Sequence, residues 1–362
     1  VVKLHVAGTA DAVYRALEEG AKEGPRAHLG ASVIGGPCDR QLWLSFRWAR
    51  QERHSGRVLR LFRRGQNEEA ELTKDLRAAG YEVMDLDPGT GEQFRFEALG
   101  GHFGGSMDGI IRGIPEASGS DKWHVLEYKT HSVKSFADLK KNGVEKSKPQ
   151  HYAQVIVYMH LSGDTNESRM TRALYIAVCK DNDELYVERI KYVNATAKKL
   201  MARAERIVYS DDPLERVSAD PSWYRCKWCH FSEHCHGSAL PAVSCRTCVH
   251  VTATEGGWQC ERDTKSLDYD AQRAACVRHL FAPHLVPYLR INTSSEEGWV
   301  EYEMDDGRKF RNGLPPGDGC YTSLELTGLD PKLIGDKGMD EIRAEFDAHV
   351  VPSEFADLEE IP

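Results

Sequence analysis

Between residues 57 and 209 the spacing of apolar positions changes several times, and each change predicts an element. Val58, Leu61, Phe62, Leu72 and Leu76 recur at helical spacing and Gly80 follows as a stop, so a helix is expected over 57–79. Short or alternating apolar runs predict strands at 81–86, 93–98, 106–112 and 122–129, the last two separated by a Gly/Pro/Ser loop at 113–120. A helix at 150–161 starts after Pro149 and ends before Ser162-Gly163. Strands at 172–178 and 184–190 flank the turn Lys180-Asp181-Asn182-Asp183, and a helix at 194–209 follows with Asn194 as its N-cap. This order describes an α/β core with a mixed central sheet flanked by helices. Regular patterning then lapses over the cysteine-rich stretch 223–280, which points to small metal-stapled modules. A hairpin is expected at 298–311 around Asp305-Asp306-Gly307.

At 362 residues, two or three structural units are expected. No apolar run approaches the ~18 residues that cross a bilayer, and Val1–Val6 lacks a secretory apolar region, so a cytoplasmic protein with no membrane partner is expected. The net charge of −9 argues, by itself, against nucleic acid. Its distribution reverses that inference. Residues 340–362 carry eight acids against Arg343, leaving the rest at −2, whereas 38–64 carry eight arginines against Asp39 and Glu52. Residues 129–148 carry six lysines against Asp138 and Glu145.

The sharpest chemical signal is Asp108, followed by Glu127-Tyr128-Lys129. On a strand, positions i and i+2 share a face, so Glu127 and Lys129 would stand together, and a neighbouring strand would bring Asp108 beside them. Two carboxylates can hold a hard cation such as Mg²⁺, and an adjacent ammonium can orient a water for attack on phosphorus. Each piece alone has a plainer reading, since exposed strands commonly alternate Glu and Lys, and Asp beside Gly is often a turn residue.

In this order these residues resemble the PD-(D/E)XK nuclease superfamily, whose second and third motifs are an Asp and an E-x-K on adjacent strands. The resemblance implies a restriction-endonuclease-like core over 57–222. Its helical first motif matches Arg64-Gly65-Gln66-Asn67-Glu68-Glu69-Ala70, which makes Glu69 a further metal or water ligand, with Glu68 a close competitor. Gln154 and Tyr158 match the Q-x3-Y motif of the following helix, near Tyr152, and would contact DNA or brace the site. Glu69, Asp108, Glu127 and the carbonyl of Tyr128 would then bind Mg²⁺ or Mn²⁺, and Lys129 would position the hydrolytic water.

Eight of the ten cysteines fall in two sets, each headed by a C-x2-C pair. Cys226, Cys229 and Cys235 need a fourth ligand, for which Cys38 in the N-terminal segment 1–56 is the candidate. One early cysteine with three after the core (223–240) resembles the iron–sulfur members of the RecB-like exonuclease group, among them exonucleases of CRISPR adaptation, and implies a structural [4Fe-4S] cluster. Zn²⁺ suits the same thiolates. Cys245, Cys248, Cys260 and Cys276 (module 241–283) read as a structural Zn²⁺ site, with His250 or His279 as substitutes and buried free thiols as the alternative. Cys179 sits in an apolar strand, and Cys320 has no evident mate.

Arg47, Arg50, Arg53, Arg57, Arg60, Arg63 and Arg64 recur every three or four residues and would place several guanidinium groups on one helix face for phosphate contacts. Trp43, Phe46 and Trp48 would pack in a core or stack on bases, and Lys134, Lys140, Lys141, Lys146 and Lys148 are expected in a loop beside the site. The combined expectation is a metal-dependent DNA exonuclease of a bacterial cell or phage-infected host, acting in recombination or repair. No G-x4-G-K-[ST] occurs, so unwinding would fall to a helicase partner, and single-strand annealing or recombination proteins are further candidates. A non-catalytic iron–sulfur recombination mediator and a structure-specific endonuclease are the alternatives. Residues 284–362 form an accessory region whose acidic tail would mask a basic channel or dock another protein.

Overall fold

The helices and strands expected between 57 and 209 form, with their ends shifted by a few residues, in the computed structural model, which describes residues 8–21, 24–51, 53–117, 119, 121–163, 169–317, 319–346, 348 and 350. The chain divides into two units, Val1–Gly36 with Glu52–Arg206, and Pro37–Gln51 with Ile207–Pro362. In chain order the first part runs α1 (Thr9–Glu19), β1 (Leu29–Gly30), α2 (Asp39–Phe46, in the second unit), α3 (Gly56–Ala78), β2 (Glu82–Met84), β3 (Arg95–Ala98), β4 (Phe103–Ser106) and β5 (Gly109–Arg112). It continues with β6 (His124–His131), α4 (Val133–Ser147), α5 (Pro149–Leu161), β7 (Arg172–Cys179), β8 (Leu185–Lys191) and α6 (Asn194–Tyr209).

Five strands form a mixed sheet in the order β2-β5-β6-β7-β8, with β6 and β7 parallel and the other pairs antiparallel. The long apolar run of β7 is buried along nearly its whole length, as a central strand covered on both faces requires. Leu126 and Tyr128 of β6 and Leu174, Ile176 and Val178 of β7 join Leu72 of α3, Val83 and Ile111 in one core. The alternate residues Glu127 and Tyr175 therefore face the other side, where α5 lies with His151 bonded to Tyr175. A second sheet, β1-β4-β3, pairs β1 parallel to β4.

Gly35 has no room for a side chain, since a Cβ there would stand 2.6 Å from Gln150 Cα and 2.7 Å from Ala153 Cβ of α5. Gly35→Val is expected to destabilise the chain by about 1–3 kcal/mol, read as a lower urea midpoint, because the first turn of α5 must move to admit it.

The lysine-rich stretch after β6 is a helix, α4, and not the expected loop. Phe136, Leu139 and Val144 are buried and hold it down, while the lysines lie on its outer side. Gly143 interrupts the helix at φ +71, which frees Val144 N to donate to Glu188 Oε2 at 2.8 Å.

The second unit begins with α2, whose Leu42, Trp43, Leu44 and Phe46 are buried, as is Trp48 beyond it. All three of these aromatic rings are therefore core residues, which corrects the expectation that one would stack on bases. Several of the seven arginines, Arg57, Arg60, Arg63 and Arg64, lie on α3 as expected, and the other three lie outside it. Arg47 is buried and donates to Ser210 O at 2.9 Å, and Arg50 donates to His230 O at 2.6 Å, both within this unit. Then come α7 (Tyr224–Lys227), α8 (Ser232–His236), an antiparallel sheet of β9 (Val251–Thr254), β10 (Gly257–Cys260) and β11 (Lys265–Leu267), and α9 (Tyr269–Ala274). The expected hairpin is the central pair of a four-stranded sheet, β12 (Leu289–Ser294), β13 (Trp299–Glu303), β14 (Lys309–Gly313) and β15 (Cys320–Tyr321), followed by α10 (Ser323–Gly328) and α11 (Lys337–Phe346). Of the acidic tail, Asp347, Glu354, Asp357, Glu359 and Glu360 lie outside the described residues. No helix among the described residues is long and apolar enough to cross a membrane.

Candidate active site

Glu127 occupies the middle of the sheet, on β6 between β5 and β7, and its side chain is 1 % exposed. Two residues on and on the same face, Lys129 Nζ donates to Glu127 Oε1. Asp108 immediately precedes β5, and its Oδ2 accepts the Tyr128 backbone N–H at 2.7 Å, which ties it to the same point of β6. Glu69 comes from α3, half-buried in a cavity of about 400 Å³ that Glu68, Tyr128 and Lys129 also line. The helix is pinned there because Thr73 Oγ1 lies 3.1 Å from the Tyr128 hydroxyl and donates to Glu69 O at 3.0 Å.

Three carboxyls around one ammonium leave an excess of negative charge in a region of low dielectric. Burial, then the charge of Asp108, push Glu69 up to about 7 against the pull of Lys129. Glu127 is pushed up to about 8, by burial first, with Lys129 opposing and Asp108 and Glu69 adding to the rise. Burial also raises Asp108, against Lys129 and the Tyr128 N–H. For Lys129, burial works against the charge, but Glu127, Asp108 and Glu69 outweigh it and the ammonium is held above its usual range. Glu127 Oε2 is buried and has no hydrogen-bond partner among the described residues. A hydrogen-bond donor or a cation would satisfy such an oxygen.

Gln154 and Tyr158 are buried on α5, one turn apart, with Gln154 Nε2 donating to the Tyr158 hydroxyl at 3.2 Å. The Tyr158 phenol is raised by burial and by the Glu127 charge, and it fits because Gly105 leaves the space that a Cβ would take at 2.9 Å from its hydroxyl. Tyr158 thus lies within electrostatic reach of Glu127.

The cavity also gathers His131, Ser135 and His151, which sequence reasoning did not single out for the site, and Lys148, one of the lysines expected beside it. His131 lies with Nδ1 3.1 Å from Ser135 Oγ and Nε2 3.0 Å from the Tyr175 hydroxyl, and His151 Nδ1 lies 2.9 Å from that same hydroxyl. Burial, then nearby lysine charge, lower His131 to about 4 and His151 to about 3, so both rings are neutral at physiological pH. The available signal was His131, which shares a strand face with Glu127 and Lys129 at i+2 spacing.

In the second unit, Cys38 and Cys226 each raise the thiol pKa values of Cys229 and Cys235 after burial, and Cys38 does the same to Cys226. Burial followed by Cys248, Cys276 and Cys260 pushes Cys245 up to about 12. Each set of four is thus one electrostatic neighbourhood. Among the described residues, however, no group of three or more His, Cys, Asp or Glu is arranged to hold a metal ion. His279 Nε2 lies 2.9 Å from Ser244 O, while Cys179 and Cys320 are buried and free.

The family model for the PD-(D/E)XK nuclease superfamily matches residues 8–236, well over half of the chain and inclusive of every carboxylate above. The chain belongs to the PD-(D/E)XK nuclease superfamily. No curated protein matches it in sequence. Among solved structures, the PD-(D/E)XK chain is similar to an alkaline exonuclease, LHK-Exo, from Laribacter hongkongensis, at 15% identity over 54% of this chain and 90% of that one, with a TM-score of 0.34. The structure of LHK-Exo in complex with dAMP gives 14% identity, the same coverages and the same TM-score. The structure of SSO0001 gives 16% identity over 62% of this chain and 93% of that one, with a TM-score of 0.35. Membership in the superfamily makes nuclease activity on nucleic acid the activity class of this enzyme.

Proposed function

We propose that this protein is a metal-dependent deoxyribonuclease acting from DNA ends. The observation that carries the reading is the gathering of Glu69, Asp108 and Glu127 around Lys129, with one Glu127 oxygen buried and unpartnered among the described residues. The donor set is all oxygen and fits a hard cation, so Glu69, Asp108, Glu127 and the carbonyl of Tyr128 would hold Mg²⁺ or Mn²⁺. When bound, the ion supplies Lewis acidity toward the scissile phosphate. Lys129, fixed by Glu127, orients the hydrolytic water, and its positive charge stabilises the negative charge that develops on phosphorus. Gln154 and Tyr158 keep the Glu127 face rigid.

End-labelled linear DNA is expected to be shortened in Mg²⁺ or Mn²⁺ while closed circular DNA survives, and Asp108→Asn is expected to lose the activity. Cleavage of the circle would favour a structure-specific endonuclease, and DNA binding with no cleavage by the intact chain would favour a recombination mediator. Metal must displace protons from carboxyls raised to about 7 and about 8, so cleavage at limiting Mg²⁺ is expected to climb steeply between roughly pH 6 and pH 9. Excess Mg²⁺ should shift that rise to lower pH, and a rise insensitive to Mg²⁺ would count against metal binding by these carboxyls.

For the cysteines, the reading is a structural [4Fe-4S] cluster on Cys38, Cys226, Cys229 and Cys235, and Zn²⁺ on Cys245, Cys248, Cys260 and Cys276. Spacing and mutual electrostatic influence support it. Iron and sulfide near four equivalents in an anaerobic preparation, with zinc near one, is the expected analysis. A helicase or annealing partner, and a cytoplasmic site of action, complete the proposal.

A further inference from the structure

A second cavity, of about 470 Å³, opens beside the first, on the same helix of the same unit. Arg57, Arg60, Arg63 and Arg64 of α3 line it together with Lys180 from the turn after β7. No acidic residue is among the described residues that line it. Such a concentration of guanidinium groups attracts phosphate and would repel a cationic partner. Arg64 Nη2 donates to Lys180 O at 2.8 Å, which holds helix and turn together as one wall. Tyr14 of α1 and Leu61 add apolar surface to the same cavity. Leu61 and Phe62 are each 48 % exposed, on a helix whose other outward positions are mostly charged. Cationic groups interleaved with the Tyr14 ring and aliphatic surface suit unpaired nucleotides, whose phosphates and base or sugar faces are both accessible.

The location gives the groove its purpose. Arg64 and Asn67 line the cationic cavity, whereas Gly65, Glu68 and Glu69 line the catalytic one. Arg64 and Glu68 are neighbours one turn apart on α3. A strand lying along the helix would therefore pass directly from the arginines to the carboxylates. The volume is in the range of a site for a single small ligand, enough for a nucleotide or two of one strand.

We infer that the groove of Arg57, Arg60, Arg63, Arg64 and Lys180, with Tyr14 and Leu61, binds a single-stranded DNA segment adjoining the scissile phosphate. This rests on the nuclease reading above and adds a requirement that the substrate reach the site as an unpaired strand. Of the seven arginines of the stripe, it assigns the four on α3 to substrate and leaves Arg47 and Arg50 to the second unit's own packing.

The test is fluorescence anisotropy with labelled oligothymidylate of about ten nucleotides and a blunt duplex of the same length, using the uncleaving Asp108→Asn chain with and without Arg60→Gln/Arg63→Gln. The double substitution should weaken oligothymidylate binding at least about tenfold and reduce the slope of log affinity against log salt by about 1.4. In the otherwise intact chain the same pair should raise KM for the oligonucleotide at least about tenfold while lowering kcat far less. Unchanged affinity and slope, or a blunt duplex bound as tightly as the single strand, would overturn the inference. Arginine-dependent binding by a chain that never cuts DNA would support the groove while overturning the nuclease reading.

Discussion

Glu127→Gln is expected to reduce metal-dependent DNA cleavage by about a thousandfold or more while leaving the protein as stable as the unsubstituted chain. The loss follows from the position of Glu127. It is the carboxylate bonded to Lys129, and it carries a buried oxygen that has no partner among the described residues. Without its charge the site loses both a cation ligand and the anchor of the water-orienting ammonium, and ~4 kcal/mol of lost charge stabilisation corresponds to about a thousandfold in rate. Stability should move the other way or not at all. The folded-state pKa of Glu127 is raised to about 8, so between its ordinary range and about 8 the folded chain binds more protons than the unfolded one. Stability contributed by this group is therefore lost as pH rises through that window, and an uncharged amide removes the loss. Parallel urea titrations and cleavage assays at pH 8 decide the matter. A variant that unfolds more easily and loses activity in proportion would make Glu127 a folding residue, and one that keeps full activity would remove it from the proposed mechanism.

What the sequence discloses depends on how strongly local pattern and burial agree. The helix at 56–78 and strands β6 to β8 were legible because long apolar runs and stop signals coincide with the real elements. Helix α4 was misread because lysines dominate its surface and Gly143 interrupts it, so that only Phe136, Leu139 and Val144 betray its buried side. Strand β12 escaped notice because five of its six residues are exposed at the edge of the sheet, which leaves no alternation to read. At the site, Asp108, Glu127 and Lys129 could be named in advance since a charged E-x-K inside an apolar strand is conspicuous. His131, Ser135 and His151 could not, because they meet only when β6, α4 and α5 have packed. The arginine stripe was visible as a period. Its division between packing and the open groove of α3 required the fold, since Arg47 and Arg63 look alike in sequence.

Glu325→Ala should destabilise the second unit by about 3–5 kcal/mol, seen as a lower urea midpoint for its tryptophan and tyrosine signals. Glu325 is buried at the start of α10 and closes a capping box, with Oε2 accepting Thr322 N–H at 2.8 Å and Thr322 Oγ1 accepting Glu325 N–H at 3.1 Å. Its Oε1 accepts from Arg343 Nη2 at 2.8 Å. Arg343, from α11, is buried too, stacks 4.2 Å from the Tyr321 ring centre and donates to Cys320 O at 3.2 Å. Removing the carboxylate thus strands a guanidinium among Tyr321, β15 and α10, with Asp340 3.5 Å away as its remaining acid. Replacing both partners should cost less than replacing one, so Glu325→Ala/Arg343→Met is expected to recover part of the loss, and strict additivity would show the pair to be uncoupled. The pH dependence has a fixed sign. Burial would raise Glu325, but the Thr322 N–H and Arg343 outweigh it and hold the carboxyl below its usual value. Its contribution is therefore fully present above the unfolded pKa and is lost as pH falls through the depressed folded value, so acid should unfold this unit earlier in Glu325→Ala only above that point, and the two proteins should converge in stability below it.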